Sequence, residues 1–210
     1  MLIKKGAEAN LYLEEWHGRK AVIKRRAPKG YRTPVLDREI RHQRTAHEPQ
    51  IIHRAKQCGV PTPIIFMVDL LEATIVMESV EGKQVKQILN DLASEDRVKL
   101  CRIIGEQIGR LHKNGIIHGD LTTSNMILTP QSKVVFIDFG LSEQSTELEA
   151  RGVDIHLVKR ALQSTHYRYE KECWRTIIEG YERVVGKEAA KDVLKKVRDI
   201  ERRGRYVANR

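Results

Sequence analysis

Ile117-His118-Gly119-Asp120-Leu121-Thr122-Thr123-Ser124-Asn125-Met126-Ile127-Leu128, followed by Val135-Phe136-Ile137-Asp138-Phe139-Gly140, is the stretch that decides how this chain is read. Asp120 and Asn125 are five apart, and Asp138 lies thirteen beyond Asn125. Between them, Leu128 and Val134-Val135-Phe136-Ile137 flank Thr129-Pro130-Gln131-Ser132, a run of turn-forming residues. The spacing predicts a hairpin with polar groups held just before it and just after it. A lone Asp-Phe-Gly would pass for an ordinary loop; two polar motifs in fixed order with apolar strands between them do not. His118 is expected to be buried and to brace the loop rather than to act as a base.

These residues resemble the protein-kinase signature, H-R-D-L-x-x-x-N followed by D-F-G. The resemblance implies ATP and Mg2+ as cofactors. Asp120 would orient an acceptor hydroxyl or a water and take its proton. Asn125 completes the catalytic pair and, with Asp138, would hold the magnesium that neutralises charge on the phosphates. The chain reads His-Gly-Asp, without the arginine that pairs with a phosphorylated activation loop. Activation by loop phosphorylation is therefore not expected.

Working back toward the N-terminus, the same template assigns further residues. Leu2 to Leu13 reads as the start of a hairpin around Gly6-Ala7-Glu8-Ala9, where a kinase places its glycine-rich loop. Gly6, Ala7, Glu8 and Ala9 are the expected phosphate-side contacts, although only Gly6 is a glycine. Ala21-Val22-Ile23-Lys24 matches V-A-I-K and assigns Lys24 to the α- and β-phosphates. On a pleat that alternates faces, Lys24 is expected to enter the cleft, unlike its basic neighbours Lys20 and Arg26. Asp37 to Gly59 is expected to be mostly helical, with Glu48 as the partner of Lys24 and Glu39 as the alternative. Pro49 predicts a break there, because proline disfavours helix at the residue before it. Strands are expected at Ile64–Val68 and Thr74–Met77. Glu78-Ser79-Val80-Glu81-Gly82 would be the hinge, whose backbone reads adenine in a kinase, with Glu78 among the expected cofactor contacts. The expected architecture is α+β and bilobal: a small β-rich lobe with one main helix over 1–78, and a reduced, mostly helical lobe over 79–210.

Ser94 to Asn114 has the clearest helical periodicity, carried by Val98, Cys101, Ile104, Ile108 and Leu111. Ser94 is the expected N-cap and Gly115 the terminator. Beyond Gly140 the chain departs from large kinases, since no Ala-Pro-Glu occurs anywhere in it. A helix is expected to open at Val153-Asp154-Ile155. Asp154 either ties the catalytic loop from below or is a helix-start acid. The remainder reads as helical, fraying near Arg202 into a basic tail over 202–210 with four arginines.

The chain has 210 residues, 31% of them charged, and a net charge of +10 with a pI near 9.6. A basic balance of this size favours a nucleic-acid or other acidic partner. No apolar run approaches the roughly 18 residues that a membrane span needs, and no signal peptide is visible. Cys58, Cys101 and Cys173 lie too far apart for a disulfide framework or a zinc site. A cytoplasmic protein with no membrane partner is the expectation.

Taken over its whole length, the chain resembles the small atypical kinase subunit of the KEOPS complex, which makes threonylcarbamoyladenosine on transfer RNA. The carriers are Val22-Ile23-Lys24-Arg25-Arg26, Lys29-Gly30-Tyr31-Arg32-Thr33-Pro34, Arg44-Thr45-Ala46-His47-Glu48, Gly59-Val60-Pro61-Thr62-Pro63 and the two motifs quoted at the outset. The basic Arg-Gly-Arg ending matches as well. The resemblance implies an ATP-dependent serine/threonine kinase that acts mainly as an ATPase. It also implies docking on the threonylcarbamoyl-transferring subunit and on a small regulatory subunit, with transfer RNA met indirectly or through the basic tail. Two other classes share some of these features. A small-molecule phosphotransferase of the aminoglycoside type also uses His-Gly-Asp, but with a longer C-terminal lobe and an acidic pocket. A basic RNA-binding scaffold would have no need of Lys24, Asp120, Asn125 and Asp138 together.

Overall fold

The computed structural model describes residues 1–6 and 8–207, with the side chains of all of these except Lys4 and 204–207. Five antiparallel strands form the first sheet, in the order β1-β2-β3-β5-β4. They are β1 (Leu2–Lys5), β2 (Asn10–Trp16), β3 (Arg19–Arg25), β4 (Ile65–Asp69) and β5 (Thr74–Glu78). The β2–β3 turn is two residues long, His17 and Gly18, with φ of 47° and 74°. Positive φ at both central positions is what a tight hairpin with right-handed twist requires. β5 pairs with strands on both sides, and Thr74, Ile75, Val76 and Met77 are all buried.

Helix α1 (Pro34–Gln57) packs against this sheet and opens on a proline, whose missing N–H costs nothing at the first helical position. It runs without interruption through Pro49, so the expected break does not occur. Pro49 removes the bond to the carbonyl four residues back and its ring crowds that carbonyl. Thr45, Glu48, Ile51, Ile52 and Ala55 are buried on both sides of it, and that burial holds the helix together.

After β6 (Lys83–Gln84) and α2 (Val85–Ile88), helix α3 (Ser94–Lys113) leads into β7 (Ile116–Ile117). Ser94 is not its cap: Ala93 holds that position, and the Ser94 hydroxyl donates instead to Glu172 at 2.9 Å. Strands β8 (Met126–Leu128) and β9 (Val134–Phe136) form the expected hairpin. β10 (Glu143–Gln144) pairs with β7. Helix α4 (Leu148–Thr165) begins five residues before Val153, which places Asp154 inside the helix rather than at its start. Helices α5 (Glu170–Val185) and α6 (Lys187–Val207) complete the described chain.

α3 and α5 touch backbone to backbone. A Cβ on Gly105 would lie 1.9 Å from the Ile177 carbonyl oxygen, and one on Gly180 would lie 2.3 Å from that of Arg102. α6 does not fray at Arg202. Its last described turns are pinned by Arg202 to Asp199 and by Arg203 Nη2 to Glu149 of α4 at 2.7 Å. Two of the tail arginines are thus engaged within the chain, while Arg210 and the Arg205 side chain lie outside the described residues. The sheet and α1 are built from residues before the segment that follows Glu78, and the helical part from those after it. One buried cluster nevertheless joins Ile51, Ile52 and Ala55 of α1 to Leu111, Phe136 and Phe139.

Candidate active site

α3 delivers the chain through Gly115 (φ 68°) and β7 to His118. The next residue, Gly119, has φ 79°, and a Cβ there would lie 2.1 Å from the Leu141 carbonyl oxygen. The loop therefore cannot carry an arginine at this position, because the segment after Asp138 crosses too closely over it. His118 is fully buried. Its Nε2 donates to the Ile137 carbonyl at 3.1 Å, and its Nδ1 accepts from the Asp120 N–H at 3.3 Å. Those bonds specify the neutral imidazole, and burial holds its pKa below the ordinary histidine value. His118 braces the loop and has no free nitrogen for proton transfer.

Asp154 settles the question left open by its sequence position. Its Oδ2 accepts the His118 N–H at 2.7 Å and its Oδ1 accepts that of Gly119 at 2.9 Å. His112 Nε2 contributes a third contact at 3.2 Å. Burial alone would raise the pKa of this carboxyl, but the hydrogen bonds from His112 and from the loop N–H groups outweigh it and hold the group below the usual range.

Beyond the loop, Asn125 Nδ2 donates both to the Asp120 carbonyl at 2.9 Å and to Asp120 Oδ2 at 2.8 Å. This orients the Asp120 carboxylate and leaves the Asn125 amide oxygen turned from that contact. The Ile137 N–H donates to the Asn125 carbonyl at 2.9 Å, which ties the residue before Asp138 to the loop. Asp138 has φ 62°, sparsely populated for a residue with a Cβ. Its Oδ1 lies 2.6 Å from Lys24 Nζ. Desolvation would raise the Asp138 pKa, but the Lys24 ammonium outweighs it and holds the carboxyl low.

Lys24, at the end of β3, also reaches Glu48 Oε1 at 2.7 Å. Burial alone would lower the Lys24 pKa; the two carboxylates outweigh it and keep the ammonium charged. Glu39 is exposed and accepts a hydrogen bond from Gln43, while Glu48 meets Lys24, so the structure brings Glu48 and not Glu39 to Lys24. In the loop ahead of β2, the Gly6 N–H donates to the Ala9 carbonyl at 3.0 Å, and Glu8 is held by Arg44 of α1. Ala7 lies outside the described residues. A cavity of about 180 Å³ is lined by Gly6, Ala9, Lys24, Arg26, Asp120 and Asp138, among others.

Glu78 is not brought to this cavity. Its N–H donates to the Ile64 carbonyl at 2.8 Å, and its Oε2 accepts the Ile64 N–H at 3.0 Å, so both its backbone and its side chain clamp the chain ahead of β4. Arg26, in contrast, does line the cavity, against the expectation that Lys24 alone of the three basic residues would enter it. Lys20 is exposed. Arg26 lies two residues after Lys24, so the same period-two rule that selected Lys24 should have placed Arg26 beside it. His47 was also missed; its Nε2 donates to the Ser142 carbonyl at 3.1 Å and ties α1 to the segment after Asp138.

The protein kinase domain model matches residues 8–201. The KEOPS complex subunit Bud32 of Pyrococcus abyssi is 47% identical over 98% of this chain and 96% of its own length. The chain belongs to the Bud32 family of protein kinases. A second relative is a probable bifunctional tRNA threonylcarbamoyladenosine biosynthesis protein of Methanothermobacter thermautotrophicus. It is 46% identical over 98% of this chain, which spans only 36% of that protein. The Rio2 kinase of Chaetomium thermophilum superposes on 94% of the chain and 71% of its own with a TM-score of 0.57; at 18% identity it speaks for the fold alone. Bud32 family membership makes this a kinase-like enzyme. Among the described residues, no helix is long and apolar enough to cross a membrane.

Proposed function

We propose that this protein is an ATP-dependent kinase of serine/threonine type with ATPase activity. It works as a KEOPS subunit that supports threonylcarbamoyladenosine modification of transfer RNA. One observation carries the reading: Lys24 bridges Glu48 and Asp138 while Asn125 holds the Asp120 carboxylate in the same cleft. Lys24 has three N–H groups, and two are engaged here, which leaves one for a phosphate oxygen. Asp120 Oδ1 has no hydrogen bond among the described residues, so it is free to accept the proton of a hydroxyl or a water.

The donor set fits magnesium. Among the described residues, no three His, Cys, Asp or Glu side chains converge on one point. Mg2+ in nucleotide sites takes one or two protein oxygens, with phosphates and waters completing the shell. The Asp138 carboxylate and the Asn125 amide oxygen are suitable oxygens, and the chain between them is fixed by the Ile137 bond to Asn125. The ion would supply charge neutralisation on the phosphates. The chain's own residues bind, orient and accept the proton.

The partner reading draws on the relatives. One is named as a KEOPS subunit, and another carries a match to this chain within a longer bifunctional protein. That arrangement supports another threonylcarbamoyladenosine-forming subunit, the threonylcarbamoyl-transferring one, as the partner here; the small regulatory subunit rests on the family resemblance alone. A net charge of +10 suits a complex that handles transfer RNA in the cytoplasm. The test measures Mg-ATP turnover by the protein alone and then with the threonylcarbamoyl-transferring subunit and transfer RNA. A serine/threonine peptide array runs alongside. Turnover that is absent under every condition would overturn the enzymatic reading; turnover indifferent to the subunit would overturn the partnership.

A further inference from the structure

Lys24, Asp120 and Asp138 carry the proposed chemistry, and Arg26 sits among them without a part in it. It is 3% exposed. Its backbone is fixed just past β3, where its N–H donates to the Ala73 carbonyl at 3.0 Å. Nη2 reaches Glu48 Oε2 at 2.5 Å and Nη1 reaches Thr45 Oγ1 at 3.3 Å, while Nε is buried with no partner among the described residues. Thr45 and Glu48 lie one turn apart on one face of α1, so the guanidinium grips the helix at two successive positions. A Cβ on Gly140 would lie 3.3 Å from Lys24 Nζ and 3.5 Å from Arg26 Nη2, so both cations flank the segment after Asp138.

Glu48 thus gives one oxygen to each cation. With Arg26 removed, Oε2 would be a buried acceptor with no donor, and burial makes that unfavourable. The carboxylate would turn both oxygens onto Lys24. Lys24 would then be drawn off Asp138 toward α1, and its remaining N–H would no longer be held where the phosphates are met. We propose that Arg26 is a positioning residue: it holds the Glu48 carboxylate to one oxygen per cation, seats α1, and thereby fixes Lys24 for the phosphates without a phosphorylated activation segment. Gly119 and the absent Ala-Pro-Glu fit such a built-in lock, because the sequence lacks the arginine that pairs with a phosphorylated activation loop. The proposal rests on the phosphotransfer reading, and its test separates the two.

The full chain without nucleotide is treated with limiting acetic anhydride, and acetylation of Lys24 is followed by mass spectrometry. Arg26→Met is compared with Arg26→Lys and with Arg25→Met, an exposed neighbour. Mg-ATP turnover is measured for each, and for Lys24→Ala with and without Arg26→Met. Arg26→Met is expected to slow Lys24 acetylation severalfold, because both Glu48 oxygens would then hold the ammonium, and to lower turnover about 10- to 100-fold, the usual loss when a residue holding a first contact is removed. Arg26→Lys recovers part of both, and Arg25→Met changes neither. In the Lys24→Ala background, Arg26→Met costs little more. If Arg26→Met loses its melting transition, Thr45→Val, which removes one of the two grips, carries the same comparison. Unchanged Lys24 acetylation in a folded variant overturns the proposal, as do losses from Arg26→Met and Lys24→Ala that multiply. A wild-type protein without turnover, alone and with the threonylcarbamoyl-transferring subunit and transfer RNA, overturns the phosphotransfer reading, while the acetylation still decides the hold on Lys24.

Discussion

Replacing Asp154 tests how the catalytic loop is held. This side chain is fully buried, and its two oxygens accept the backbone N–H groups of His118 at 2.7 Å and Gly119 at 2.9 Å. Asp154→Ala leaves both donors buried without an acceptor. At about 1–3 kcal/mol for each unsatisfied group, the loss is about 2–6 kcal/mol. That is a large share of the roughly 5–15 kcal/mol that holds a domain folded. Asp154→Asn keeps one acceptor oxygen but presents an NH2 group to the other donor, so about 1–3 kcal/mol is expected. The Asn variant should fold, and urea unfolding would show a lower midpoint with an unchanged slope. Its Mg-ATP turnover should fall more than the folded fraction does, because the loop that carries Asp120 loses a fixed anchor. An Asn variant with the wild-type midpoint and full turnover would refute the reasoning, since it would mean that the loop holds its shape without Asp154.

Asp138→Ala should abolish Mg-ATP turnover and the melting shift that Mg-ATP induces, with the fold intact; a persistent shift would remove Asp138 from the metal role. Lys24→Ala should cost about 100-fold or more in turnover, whereas Lys20→Ala, at an exposed site, should cost nothing measurable; equal losses would mean a generic basic strand. Glu48→Ala should destabilise by about 3–5 kcal/mol, more than Lys24→Ala, because it leaves the buried Arg26 guanidinium without its carboxylate and Lys24 with Asp138 alone; comparison of the two urea midpoints decides this. Burial holds the His118 and His166 pKa values low in the folded chain, so the unfolded chain takes up protons first as the pH drops. Stability should be full above about pH 6.5 and decline below it. The depressed Asp138 and Asp154 carboxyls add a further loss below about pH 4. A midpoint that rises between pH 7 and pH 5.5 would contradict this sign.

Local features of the fold were legible in the chain. The α3 helix, the β8–β9 hairpin and the β-rich beginning follow from periodicity and turn chemistry, which act over a few residues. The sequence readings that failed were those in which a distant contact outweighs a local preference. Pro49 disfavours helix locally, but the buried face of α1 runs through it. Ser94 is a good cap by type, but Glu172 on α5 takes its hydroxyl. The tail arginines look free, but Glu149 on α4 engages Arg203.

The same division runs through the candidate site. Sequence alone determined the presence and order of Lys24, Asp120, Asn125 and Asp138, since the motif spacing is written along the chain. The missing arginine also set the expectation that loop phosphorylation does not activate the chain. Why that arginine is missing became visible only when Leu141 was seen to cross 2.1 Å from where a Gly119 Cβ would lie. The choice of Glu48 over Glu39, the anchoring of the loop by Asp154 and the entry of Arg26 into the cleft were likewise decided by tertiary structure. Each depends on contacts between residues 22 to 36 positions apart, and such contacts arise only when packed elements meet and burial makes an unpaired charge or N–H costly.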